Sequence, residues 1–255
     1  MAESAPLPAG TAAFPEGVPC WIDVQLADVA AGRRFYGELF GWTFEEGHHP
    51  DEPGAPARGA VRAHHHGEPV AALVPKRDGR MPTVWTVYFA TPDVTVLADR
   101  IEAEGGRLIT APTPVGDFGT RALAADPEGA VFGLWQAGAH PGFGRRYEPG
   151  TFCWAELYAR DMATVDQFYG TVFLDALFGP DASPDFGRAP VSDVFPSEMP
   201  PHFLVHFGVE DCEAVIGTVN RLGGRVQAAP FDTSYGRVAV VTDNQGASFA
   251  VLQRS

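Results

Sequence analysis

Two short segments set an indole and a carboxylate two residues apart: Trp21-Ile22-Asp23-Val24-Gln25 and Trp154-Ala155-Glu156-Leu157-Tyr158. Alternate residues of an extended strand share a face. Trp21, Asp23 and Gln25 therefore project to one side, and Cys20, Ile22, Val24 and Leu26 to the other. The second segment repeats the arrangement, with Trp154, Glu156 and Tyr158 opposed to Cys153, Ala155 and Leu157. A buried carboxylate is costly unless partnered, so the indole-bearing faces line something other than a dry core. Two chemistries suit such a face. Trp or Tyr could stack on a flat, largely apolar molecule while the acid fixes a polar or cationic group. Alternatively, Asp23 or Glu156, its pKa raised by apolar surroundings, could act as a general base.

Other reactive residue types offer less. His48, His49, His64, His65 and His66 fall on two neighbouring segments. If 42–48 pairs antiparallel with 60–66, His48 lies opposite Ala60 and His66 opposite Trp42. The two clusters then stand about 20 Å apart, the length of six strand residues. Cys20, Cys153 and Cys212 are too few and too scattered for a disulfide framework or a CxxC metal knuckle. No Ser-His-Asp or Cys-His arrangement emerges.

The elements that position the two faces repeat along the chain. Residues 20–42 match 153–173, with Cys20/Cys153, Trp21/Trp154, Asp28/Asp161 and Phe35-Tyr36/Phe168-Tyr169 all offset by 133; 87–112 matches 205–230 at an offset of 118. The second copy has thus lost residues in its middle. Each copy contains two units in which a strand leads into a helix and then three strands. Asp28 caps the first helix, whose apolar positions Val29, Gly32, Phe35 and Leu39 recur at helical spacing, and Gly41 follows its end. The pattern is an α+β fold built by tandem duplication of paired βαβββ modules. The domains are 19–137 and 152–255, joined by a Gly/Pro-rich linker at 138–151. Segment 175–201 is rich in Pro, Asp and Ser, which predicts a stripped-down third unit.

The chain of 255 residues carries 18 Lys+Arg against 32 Asp+Glu, a net charge of −14. That balance excludes a nucleic-acid partner, which needs a cationic surface. No run of about 18 apolar residues suggests a membrane span, and the first residues lack the pattern of a signal peptide. A cytoplasmic protein, monomer or homodimer, is expected.

The F-Y-G-x-x-F helix, the helix ending E-x-G-G and the closing D-P-x-G-A-x-F-x-L-W resemble the vicinal oxygen chelate superfamily of glyoxalase I, bleomycin-resistance proteins and extradiol dioxygenases. More closely, the chain is similar to two-domain actinobacterial members, some of which accompany aromatic antibiotic biosynthesis. The resemblance implies curved mixed sheets forming cups. Its catalytic members hold a divalent metal from strands one, five and eight, positions occupied here by Trp21, Thr86 and Gly133, and by Trp154, Leu204 and Ala250. None is a ligand type for a divalent cation, so no metal or other cofactor is expected. The cup faces would gather Trp21, Asp23, Gln25, Thr86, Tyr88 and Trp135 in the first domain. In the second they would gather Trp154, Glu156, Tyr158, His206 and Ser248. The resulting expectation is metal-independent binding of a planar aromatic small molecule, in sequestration or in an accessory role beside a biosynthetic enzyme. The first cup is favoured because its hairpin walls are complete. The alternative is a cofactor-free isomerase, cyclase or hydroxylase, with Tyr88 or His206 assisting the carboxylate.

Overall fold

A computed structural model describes residues 14–46, 59–76, 78, 79, 82–177, 185–191, 195 and 198–254. The first module comprises β1 (Pro19–Leu26), α1 (Val29–Phe40), β2 (Thr43–Glu46), β3 (Val61–His65) and β4 (Glu68–Pro75). The second comprises β5 (Trp85–Ala90), α2 (Val94–Ala103), β6 (Arg107–Pro114), β7 (Gly119–Ala125) and β8 (Val131–Ala137). Together they make one mixed sheet in the order β2-β3-β4-β1-β5-β8-β7-β6.

The third module has β9 (Phe152–Ala159), α3 (Met162–Val172) and β10 (Phe186–Pro190). The fourth has β11 (His202–Gly208), α4 (Cys212–Arg221), β12 (Arg225–Thr233), β13 (Gly236–Thr242) and β14 (Ser248–Gln253). Their sheet runs β10-β9-β11-β14-β13-β12. Among the described residues the third module has one strand after its helix, where the other modules have three.

Every strand-to-helix junction uses the same device. Asp28, Asp93, Asp161 and Asp211 each sit in extended conformation and accept hydrogen bonds from N–H groups of the first helical turn, satisfying donors that a helix start leaves free. Gly41 ends α1 in the left-handed conformation. Of the expected α1 stripe, Gly32 and Phe35 are buried, joined by Tyr36 and Phe40, whereas Val29 and Leu39 are only partly covered.

The helix-bearing faces of the two sheets pack against each other. Phe35 meets Phe249 with ring centroids 6.5 Å apart, Phe40 meets Phe207 at 4.9 Å, and Phe89 meets Phe203 at 5.9 Å. One continuous cluster of buried residues runs through both halves. The opposite, concave faces consequently point away from one another.

The strand alternation holds with one repeated exception. Pairing of β1 with β5 jumps from Pro19↔Phe89 to Trp21↔Tyr88, leaving Cys20 as an extra residue, and pairing of β9 with β11 does the same around Cys153. A bulge of this kind breaks alternation locally. Cys153 accordingly packs in the cluster under the second cup with Tyr158 and Leu204, not on the helix side with Ala155. The β2–β3 register is also one residue off the expected one: Thr43 faces His64, and His65 faces Glu68 across the next hairpin. His66 and Gly67, both at positive φ (50° and 82°), form that hairpin's two-residue turn. His48 and His49 lie outside the described residues.

Candidate functional site

In the first sheet, Trp21 pairs with Tyr88 and Asp23 with Thr86 across β1 and β5; Tyr88 then pairs with Gly133, and Arg121 with Trp135. These side chains share the concave face, and Gln25 continues it at the end of β1. The Tyr88 hydroxyl donates to Asp23 Oδ2 at 2.8 Å, and Arg121 Nη1 stands 3.9 Å from the same oxygen. Asp23 is 4% exposed, and its Oδ1 has no hydrogen-bond partner among the described residues. Burial raises its pKa, against the lowering influence of the Arg121 charge and the Tyr88 hydroxyl.

The segment after β8 closes this cup. Trp135 Nε1 donates to the carbonyl of His140 at 2.9 Å, the N–H of Phe143 bonds to Cys20 O, and the N–H of Gly144 to Pro69 O, both at 2.8 Å. The His140 ring stands edge-on to Trp21 with centroids 4.3 Å apart, and Phe143 lies 5.6 Å from Trp21. Burial, aided by the nearby Arg62 and His64 charges, holds the His140 pKa down to about 3. Residues 138–144 are thus a strap laid over the first cup, which leaves Trp21 and Trp135 each 6% exposed. Their Gly/Pro content reads as a linker, but the glycines serve close approach: a Cβ on Gly142, at φ +126°, would stand 2.3 Å from Cys20 O. Arg121 was also missed, although its alternation along β7 opposite Trp135 was there to read.

The second cup is more open. Trp154 pairs with His206 and Glu156 with Leu204 across β9 and β11, and Gly187 of β10 flanks Glu156. Trp154 and Glu156 are partly exposed, whereas His206 is 1% exposed. The Tyr158 hydroxyl donates to Glu156 Oε2 at 3.0 Å, and His206 Nε2 lies 3.9 Å from that oxygen. Burial lowers the His206 pKa to about 4, so this contact is not an ion pair at neutral pH. The Trp154 indole lies over Gly187, where an added Cβ would come 2.1 Å from Cζ2. The indole also stacks with Tyr235, centroids 5.8 Å apart and planes at 23°. Tyr235 sits at the β12–β13 hairpin tip, where no periodicity signals an aromatic; its pKa is raised by burial and by the Glu156 charge. Trp154 Nε1 and His206 Nδ1 are buried without partners among the described residues. Phe195 and His202 pack on Tyr158 at 4.9 and 5.6 Å. Ser248 lies at the start of β14, paired with Thr242.

A family model described as glyoxalase/bleomycin resistance protein/dioxygenase superfamily matches residues 21–134. The anthracycline biosynthesis protein DauV of Streptomyces sp. (strain C5) is 35% identical over 271 residues, covering 94% of each chain.

The chain belongs to the glyoxalase/bleomycin resistance protein/dioxygenase superfamily.

Among other members, the anthracycline biosynthesis protein DnrV of Streptomyces peucetius is 34% identical over 94% of each chain. CFP32 of Mycobacterium tuberculosis, which carries a provisional glyoxylase name, is 34% identical over 94% of this chain and 96% of its own. The fold matches the 2,3-dioxygenase LapB of Pseudomonas sp. KL28 with a TM-score of 0.61 at 17% identity, over 93% and 92% of the two chains. It matches the Mn(II)-bound glyoxalase of Novosphingobium aromaticivorans with a TM-score of 0.59 at 13% identity, over 94% and 83%.

The residues at the superfamily's metal positions do not fit a divalent cation. Indole, hydroxyl-bearing Thr86, Gly133, Leu204 and Ala250 lack imidazole or carboxylate donors. The space itself is used otherwise: a Cβ at Gly133 would stand 2.1 Å from Cδ1 of Tyr88, whose ring covers the glycine. No group of three or more His, Cys, Asp or Glu suited to a metal occurs among the described residues. None of the described helices is long and apolar enough to cross a membrane.

Proposed function

We propose that the second cup binds a planar aromatic small molecule without a metal, and that the protein serves the biosynthesis of an aromatic natural product by holding an intermediate or product. The observation that carries this reading is the Trp154–Tyr235 pair. The Tyr235 ring, exposed at the mouth and backed by the Trp154 indole, offers a flat surface beside the Glu156 carboxylate. The roles in the names of DauV and DnrV agree with such a ligand. The first cup is the weaker candidate, because His140 and Phe143 occupy the face that Trp21 would offer.

The test is tryptophan fluorescence quenching by a panel of anthracyclines, using protein treated with EDTA. Saturable quenching that Trp154→Phe weakens and Trp21→Phe leaves intact supports the reading. The reverse pattern moves the ligand to the first cup, and absence of saturable quenching by every compound overturns the proposal.

A second reading is proton transfer, favoured by the placement of Glu156 between the Tyr158 hydroxyl and the neutral His206 imidazole. Here Glu156 is the base and Tyr158 positions it. Under this reading Glu156→Gln keeps binding and abolishes turnover, followed by mass spectrometry of the bound compound; a variant that binds and turns over normally rejects it.

A further inference from the structure

A groove of about 460 Å³ opens where the two halves meet, away from both cups. Its floor is apolar: Leu39 and Phe40 from the end of α1, Val209 after β11, and Ala214 and Val215 from α4. Its volume falls within the range of small-molecule sites, which favour domain junctions. Gly150 forms part of the wall at φ +83°, and a Cβ there would stand 3.0 Å from both Phe40 O and His65 Cε1. The wall is fixed by Trp42 Nε1, which donates to Gly150 O at 2.7 Å.

The rim is polar and one-signed. It carries Glu148, Glu210 and Asp211, while among the described residues no lysine or arginine lines the groove. Arg145, outside the lining, pairs with Glu148 at 2.7 Å. The remaining rim groups are the His65 and His66 rings, 4.2 Å apart. Burial and the neighbouring His66 keep the His65 pKa below its ordinary value, so it adds no compensating charge at neutral pH. Glu210 and Asp211 are both exposed at the mouth, and Asp211 Oδ1 also caps α4 through Glu213 N and Ala214 N.

We propose that this groove binds a small organic cation, a protonated amine on an apolar body, with the body on the Phe40–Val215 floor and the ammonium at the Glu210–Asp211 rim. An ammonium–carboxylate contact is the strong, charge-assisted kind of hydrogen bond, and the apolar floor gives an occupant with an apolar body contacts that a bare inorganic ion lacks. Because both halves line the site, its ligand would contact both at once.

Isothermal titration calorimetry with 4-phenylbutylamine and its neutral N-acetyl derivative tests this. The amine should bind saturably, and the amide about tenfold more weakly, the loss of one hydrogen bond to a charged group. The pair Glu210→Gln and Asp211→Asn, the latter keeping a capping residue, should cost the amine a similar factor. Val215→Trp should abolish binding by filling the floor, and Trp154→Phe should leave it unchanged. Should Val215→Trp fail to fold, the acidic pair decides. No saturable heat, equal affinity for the amide, or binding lost in Trp154→Phe and kept in Val215→Trp would each overturn the proposal; the last would place the amine in the second cup.

Discussion

The hydroxyl of Tyr36 in α1 donates at 2.9 Å to Asp243 Oδ2, in the turn between β13 and β14 of the other half. Tyr169 in α3 mirrors it, donating at 3.1 Å to Asp126 in the turn between β7 and β8. The flanking contacts repeat too: Gln245 bonds to the backbone of Asp28, and Glu128 to the backbone N–H groups of Arg160 and Asp161. The repeated F-Y pair and the repeated D-x-x-G turn are therefore two ends of one reciprocal lock.

Each end of the lock should carry measurable stability. Tyr36→Phe leaves Asp243 with its bonds from Gln245 N and Ala247 N but removes the buried hydroxyl bond. A loss of about 1–2 kcal/mol is expected in urea unfolding. Tyr169→Phe should lose a similar amount, and the double variant close to the sum, since the two ends share no partner. A double variant as stable as the parent would show that the lock contributes nothing.

Stability should bear the mark of Asp23. Its folded pKa is raised above the ordinary 3.8, so the folded state binds the proton more tightly. Its contribution is complete below about 3.8 and is lost as pH rises through the folded value. Asp23→Asn should therefore melt higher than the parent at neutral pH, and the gap should close in acid. A variant that melts lower at neutral pH would show that the Arg121 contact outweighs burial.

His140 acts in the opposite sense. With its pKa held down from 6.5 to about 3, it favours folding at neutral pH, and that contribution drains away as pH falls through this interval. His140→Phe, which keeps a ring against Trp21, should flatten the decline of melting temperature between those limits. An unchanged slope would reject the assignment.

Gly133 has a steric role. A Cβ there meets the Tyr88 ring at 2.1 Å, so Gly133→Ala should cost about 1–3 kcal/mol, typical of overpacking. Tyr88→Leu in the same chain should recover part of that loss in chemical unfolding. No recovery would mean that the backbone, not the ring, sets the limit.

Much of this architecture was legible because its signals are local or repeated. The offsets of 133 and 118 give the duplication, alternation gives the faces of Trp21 and Trp154, and the capping aspartates mark helix starts. What escaped depends on distant partners. A bulge at Cys20 and Cys153 arises from how two strands share hydrogen bonds, not from composition. Residues 138–144 have the makeup of a connection, and bonds to distant groups, the carbonyls of Cys20, Pro69 and Phe118 and the Trp135 indole N–H, turn them into a strap. Tyr36 has the helical spacing of a core residue, while its partner Asp243 lies 207 positions away.

The third module stops at β10, with no described strand on its outer side, whereas the first sheet continues past β4 to β3 and β2. As the described residues form it, the second hollow is a trough with one low bank. Under the binding proposed for this hollow, a guest longer than it would lie across that bank with its far end in water, and its length need not match that of the pocket. A strapped, fully walled hollow such as the first would demand that match.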